Sequence, residues 1–175
     1  MRALVLFLLP AALAAQSVAL SFDDGFNPRR QPRAGAWNAA ILGALAQGKV
    51  KAMLFPAGKV VDSPEGLALV RAWGEAGHLV GNHTYAHESL AAEGTTLAAF
   101  EADVLKNETL LKGMPGWSAR LRFPYLKEGS TAERRDGFRA WMTAQGYQPA
   151  PVSIDASDWY YNVRFLEAEE RSPGS

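Results

Sequence analysis

Five short apolar runs alternate with longer stretches of helical spacing along this chain. The runs are Val18–Phe22, Lys51–Phe55, Leu79–Val80, Ala119–Arg122 and Val152–Ile154. Between them, 35–48 carries Trp37, Ile41, Leu42 and Leu45 near helical intervals. Ser63-Pro64 opens a second helix, because Ser can cap and Pro suits the first helical position. Its apolar side is Leu67, Val70 and Trp73. Residues 95–112 form the longest periodic stretch, with Leu97, Phe100, Val104 and Leu111. Another helix is expected over 131–145, with Phe138, Trp141 and Met142 as its apolar face. Strands alternating with helices predict an α/β fold with a parallel sheet or barrel. Chemistry in such folds gathers at the carboxyl ends of the strands.

Polar clusters stand at those ends. Asp23-Asp24-Gly25 follows the first run directly. Neighbouring side chains at a strand end point in different directions, so one acid can bind a metal while the other acts as a base. Asp-Gly is also an ordinary turn pair. His83-Thr-Tyr-Ala-His87 follows the third run. Its i, i+4 spacing puts both imidazoles on one side of a helical turn. Two imidazoles and a carboxylate suit zinc or a similar divalent metal with positions left open for water. His78 lacks a motif partner and reads as structural. Arg122-Phe-Pro-Tyr125 closes the fourth run, where a guanidinium can orient a carboxylate. A surface arginine and a buried tyrosine fit the same residues. Asp155-Ala-Ser-Asp158-Trp159 follows the fifth run, and Trp159-Tyr160-Tyr161 offers flat faces that suit a sugar ring or a core. Arg29, Arg30 and Arg33 read as a solvated loop. Asn82-His-Thr84 and Asn107-Glu-Thr109 match the glycosylation sequon, a short pattern common by chance.

Eighteen basic residues balance eighteen acidic ones, which gives no reason to expect nucleic acid or an anionic membrane as partner. Cysteine is absent, so disulfides, thiolate nucleophiles and Cys-ligated metals are excluded. The first residues, Met1-Arg2, precede the uncharged stretch Ala3–Ala14, and Ala12-Leu-Ala14 supplies a small-x-small cleavage pattern. This reads as a signal peptide over residues 1–14, with export to the periplasm or cell exterior. The apolar stretch is too short for a stable membrane span, which needs roughly 20 residues.

Taken together, four of these segments resemble the motifs of the polysaccharide deacetylase family, the NodB-homology domain of carbohydrate esterase family 4. They are Ser21-Phe-Asp-Asp-Gly25, His83-Thr-Tyr-Ala-His87, Arg122-Phe-Pro-Tyr125 and Asp155-Ala-Ser-Asp-Trp159, in family order. The resemblance spans roughly residues 18–161. It implies a distorted (β/α) barrel and metal-dependent removal of N- or O-acetyl groups from a carbohydrate polymer such as chitin, peptidoglycan or xylan. It implies that Asp23 is the general base, that Asp24, His83 and His87 hold a divalent metal, with zinc the first choice, and that Arg122 orients Asp23. It also implies that the Tyr125 backbone N–H helps hold the oxyanion, that Trp159 walls the groove, and that Asp158 orients a catalytic histidine.

That histidine belongs to a fifth family motif, Leu-x-x-His, which is absent; no histidine follows His87. The chain stops at Ser175 soon after the fifth run, and 167–175 reads as a polar tail. The domain, residues 15–175, is therefore expected to be a NodB-type barrel incomplete at its C-terminus. Two further readings stay open: a metal- or sugar-binding fragment without turnover, and a related hydrolase of small amides or imides.

Overall fold

The computed structural model describes residues 18–171; the signal-peptide expectation over residues 1–14 lies outside the described residues. In chain order the elements are β1 (Leu20–Asp24), α1 (Ala34–Gln47), β2 (Ala52–Pro56), α2 (Gly58–Val61), α3 (Pro64–Glu75), β3 (Leu79–Asn82), α4 (Leu97–Leu111), β4 (Trp117–Leu121), a single 3-10 turn (Pro124–Leu126), α5 (Ala132–Ala144), β5 (Gln148–Pro149) and α6 (Asp158–Arg171).

All five strands are parallel and lie in sequential order, β1-β2-β3-β4-β5. Right-handed crossovers that always advance in one direction put the connecting helices on one face of the sheet. A doubly wound sheet instead reverses its strand order. The architecture is α/β, five consecutive parallel strands with connecting helices, as an open stretch of a (β/α) barrel would have.

The helices begin where their caps sit. Ser63 accepts from the Gly66 amide at 2.9 Å, and Thr96 and Thr131 do the same for α4 and α5. Packing then follows strand alternation. Leu54, Val70, Trp73, Val80 and Leu111 form one core cluster; Phe100, Val104, Leu121, Phe138 and Met142 form another. Each such side chain contributes roughly 1.5–3 kcal/mol when fully buried, so the helix layer holds the sheet. Trp73 is also anchored by polarity: its Nε1 donates to Asn38 Oδ1 at 2.8 Å. His78 is buried against the Trp73 ring and accepts from the Ala52 amide through Nδ1 at 3.2 Å, a structural arrangement.

Two expectations are corrected. The fifth strand is Gln148–Pro149, not 152–154, and Ile154 is exposed. Buried Tyr147 anchors the strand by donating to Glu108 Oε2 at 2.7 Å and accepting from Asn82, while Pro151 lacks the N–H that further pairing would need. Residues 167–171 are not a free polar tail but the last turns of α6. Among the described residues, no helix is long and apolar enough to cross a membrane.

Candidate active site

The first acid is placed by alternation. Phe22 packs toward the helices against Trp73, with ring centroids 5.2 Å apart. Its neighbours Ser21 and Asp23 therefore point to the other face. There Arg122, at the end of β4, meets both. Nη1 donates to Asp23 Oδ1 at 3.0 Å and Oδ2 at 3.1 Å, and Nη2 donates to Ser21 Oγ at 2.9 Å. Nε donates to the Ala150 carbonyl at 2.7 Å. The Arg122 side chain is buried, while the Asp23 carboxylate that it grips stays partly exposed. Burial pushes the Asp23 pKa above its usual value, against the opposing pull of Arg122.

The second acid leaves the strand pleat. Asp24 has φ +68° and Gly25 φ +82°, and the Gly25 amide bonds back to the Asp23 carbonyl at 2.8 Å. A Cβ at Gly25 would also stand 2.8 Å from Val61 Cγ1, so the turn needs glycine twice over. This turn carries the Asp24 carboxylate to the histidines. Its Oδ1 lies 3.3 Å from His87 Nε2 and 3.7 Å from His83 Nε2.

His83 follows β3 and is almost fully buried. Its Nδ1 is 2.7 Å from the Arg122 carbonyl, which can only accept, so the proton is assigned to Nδ1 and the Nε2 lone pair faces the carboxylates. Burial lowers its pKa to about 4, which keeps the ring neutral. The segment from His83 to His87 is a turn, not the helical turn expected from i, i+4 spacing. Thr84 and His87 have φ +62° and +54°, and the His87 amide donates to Thr84 Oγ1 at 3.1 Å. Asp103 of α4 holds it from outside: its carboxylate accepts from the Tyr85 amide at 3.1 Å and from the Ala86 amide at 2.9 Å.

One ligand atom each from Asp24, His83 and His87 lies within 4.8 Å of the other two. Two imidazoles and one carboxylate match the donor chemistry of divalent zinc in hydrolytic sites. The residues present therefore fit such an ion.

The structure brings Asp23, Asp24, His83, His87 and Arg122 together. Tyr125 is adjacent: its ring centroid is 4.9 Å from that of His87, and its φ of +58° sits within the 3-10 turn. With Arg122 buried and Tyr125 exposed, the alternative of a surface arginine and a buried tyrosine is reversed. Asp158 and Trp159 are not brought in. Among the described residues, none of the hydrogen bonds, ion pairs or ring contacts of the cluster involves either. The Ser157 amide bonds to Asp155 Oδ1 at 2.9 Å and starts α6, so both residues occupy its exposed first turn. Among the described residues, the Trp159 ring meets the Tyr160 ring as its aromatic neighbour. Asn82 and Asn107 of the two sequons are fully buried and hydrogen-bonded to each other at 2.9 Å, the reverse of a glycosylation site. Sequence reasoning missed Asp103 and Ala150 as supports, because each acts across the fold.

The polysaccharide deacetylase model matches residues 11–141. The chain belongs to this family. Among curated polysaccharide deacetylases, it is similar to a peptidoglycan-N-acetylglucosamine deacetylase of Bacillus cereus, at 31% identity over 81% of this chain and 46% of the relative. It is also similar to a chitooligosaccharide deacetylase of Rhizobium leguminosarum bv. trifolii, at 32% identity over 82% of this chain and 60% of the relative. The chain thus spans about half the length of the curated relatives it matches. Among solved structures, a peptidoglycan N-acetylglucosamine deacetylase aligns with TM-score 0.64 and 26% identity over 81% of this chain and 59% of that one. The chitin deacetylase of Colletotrichum lindemuthianum aligns with TM-score 0.64 and 25% identity over 81% of this chain and 57% of that one.

Proposed function

We propose that this chain carries the hydrolytic centre of a metal-dependent deacetylase that removes N- or O-acetyl groups from a polysaccharide. The observation that carries the reading is the meeting of Asp24, His83 and His87 beside an Asp23 that Arg122 grips through both carboxylate oxygens. Asp24, His83 and His87 would hold a divalent cation, with zinc favoured by the donor set. When bound, such a cation polarises a carbonyl and lowers the pKa of a water toward about 7.

The chain's own residues do the rest. Asp23 accepts the proton of the attacking water, and Arg122 keeps its carboxylate facing the cluster. The Tyr125 backbone N–H donates to the carbonyl oxygen as negative charge develops there. Collapse breaks the bond to the sugar nitrogen or oxygen and releases acetate. Among the described residues of the cluster, Asp23 holds the proton taken from the water and returns it to the leaving amine or alcohol. A separate general acid typically contributes about 10²–10⁴-fold, so turnover by these residues alone is slow. That same consideration favours, as second reading, a metal- and sugar-binding chain without turnover. The apolar segment 3–14 supports export, which would bring the chain to extracellular polymers.

Titrating zinc into the purified chain, then measuring acetate release from chitin oligomers and acetyl-xylan, tests both readings. Zinc binding with acetate release supports the deacetylase. Zinc binding without acetate supports the second reading, and failure to bind zinc overturns both.

A further inference from the structure

Two asparagines that stand out in the sequence only as sequon positions form a pair of amides behind the turn that presents His83. Asn82 is the last residue of β3 and Asn107 lies on α4; both are fully buried. The Asn82 side chain uses its whole bonding capacity. Its Oδ1 accepts from the Thr84 amide at 2.9 Å and from Asn107 Nδ2 at 2.9 Å. Its Nδ2 donates to the Val104 carbonyl at 3.0 Å and to Tyr147 Oη at 2.9 Å. Asn107 Nδ2 gives its other proton to the Pro56 carbonyl at 2.9 Å. Both amides are oriented by these partners, because the Thr84 N–H can only donate and the Val104 and Pro56 carbonyls can only accept.

The arrangement grips His83 from two sides. The Asn82 side chain ties the residue after His83 back to the residue before it, an i to i+2 closure that holds Thr84 at φ +62°. The Asn82 backbone carbonyl accepts from the Arg122 amide at 2.9 Å, and the Arg122 carbonyl faces His83 Nδ1 at 2.7 Å. One residue thus fixes both the backbone that carries the imidazole and the acceptor that turns it. Stability alone does not account for the pair. Among the described residues Asn107 Oδ1 is buried without a hydrogen-bond partner. A buried acceptor left unmet costs about 1–3 kcal/mol, which an apolar side chain would avoid.

We infer that Asn82 is a positioning residue for the metal centre, which rests on the reading of Asp24, His83 and His87 as metal ligands. It acts through Thr84 and Arg122 to keep His83 Nε2 toward the Asp24 carboxylate, and Asn107 holds Asn82 in place. Partners of this kind are worth about 10–100-fold in metal affinity.

Cobalt(II) titration of the full chain tests it, because the visible bands of the bound ion report its coordination geometry. Asn82→Ala and Asn82→Ser both lose the Asn107, Val104 and Tyr147 contacts, so both are expected to unfold at lower urea concentration than wild type. A hydroxyl, however, can still accept from the amide two residues on. Asn82→Ala is expected to bind cobalt about tenfold more weakly with altered bands, and Asn82→Ser to recover to within about threefold of wild type with its bands restored. Tyr147→Phe removes a different partner of Asn82 and leaves the Thr84 contact, so stability falls while cobalt affinity stays within about twofold. Should Asn82→Ala fail to fold, the double variant Asn82→Leu, Asn107→Leu keeps the core filled and removes Asn107 Oδ1, and the same loss of about tenfold is expected. Equal affinity in Asn82→Ser and Asn82→Ala, an affinity that follows the unfolding midpoint through all the variants, or unchanged affinity in the double variant overturns the positioning role and leaves the metal centre standing. A wild-type chain that binds no cobalt overturns the metal-centre reading and the positioning role with it.

Discussion

The guanidinium carbon of Arg122 stands 4.6 Å from the centroid of the Phe55 ring. Phe55 is the penultimate residue of β2 and is almost fully buried. It supplies an aromatic platform for the group that grips Asp23. A desolvated cation over an aromatic face is worth up to about 2 kcal/mol. Phe55→Leu keeps the position apolar and removes the platform. Acetate release is expected to fall roughly tenfold, a loss of ~1.4 kcal/mol, while zinc affinity stays within about twofold because no ligand touches the ring. Kinetics and zinc titration on the same preparation check it; an unchanged rate would show that the Asp23 and Ser21 contacts suffice.

Gly81 makes room for that platform. A Cβ there would lie 2.5 Å from Phe55 Cε1 and 2.6 Å from Met53 Cε. The methionine end can move, but the phenylalanine ring is held under Arg122. Gly81→Ala is expected to cost about 1–3 kcal/mol of stability through overpacking. Met53→Ala in the same chain recovers only part of it. Urea unfolding measures both, and a wild-type midpoint for Gly81→Ala would refute the close fit.

How much of this was readable in advance depended on the range of the interactions involved. Alternation of strand and helix is a local pattern, and it placed Asp23, Asp24, His83, His87 and Arg122 at strand ends, where they are found. Turn conformation was less accessible. The His83–His87 segment bends under the Asp103 carboxylate, which arrives from α4 and is invisible to a periodicity argument. The fifth strand was displaced because Tyr147 is anchored by Asn82 and Glu108, both distant in the chain. Phe55 was legible only as the end of an apolar run for the same reason: nothing local distinguishes a ring beneath an arginine from a ring beneath a leucine.

Asp103 provides a test of whether the turn must be held from outside. Asp103→Asn keeps the size but loses the charge and one acceptor, leaving the Tyr85 and Ala86 amides poorly matched. Groups that orient metal ligands typically account for about 10–100-fold in affinity. Zinc affinity is expected to drop by about tenfold or more, with far-UV circular dichroism unchanged. Unaltered affinity would mean that the Thr84 contact alone fixes His87.

The metal-free protein is expected to lose stability on mild acidification. His78 and His83 are both buried and neutral, and burial holds each below the ordinary 6.5, His83 at about 4. Between the folded and unfolded values the unfolded chain binds more protons, so stability rises with pH in that window. The contribution is complete above about 6.5 and is lost as pH falls toward the folded values. Asp23 acts with the opposite sign, since its raised pKa makes stability fall as pH climbs through its own range above 3.8. The histidine effect is therefore cleanest at the upper end of its own window, just below about 6.5. In the presence of EDTA, Tm should drop between about pH 7 and about pH 5, and less steeply in His78→Gln, which keeps an acceptor for the Ala52 amide but cannot take a proton. Zinc should raise Tm most at the upper end, because binding requires unprotonated imidazoles. A Tm that is flat across this range without metal would show that neither ring is held neutral by the fold.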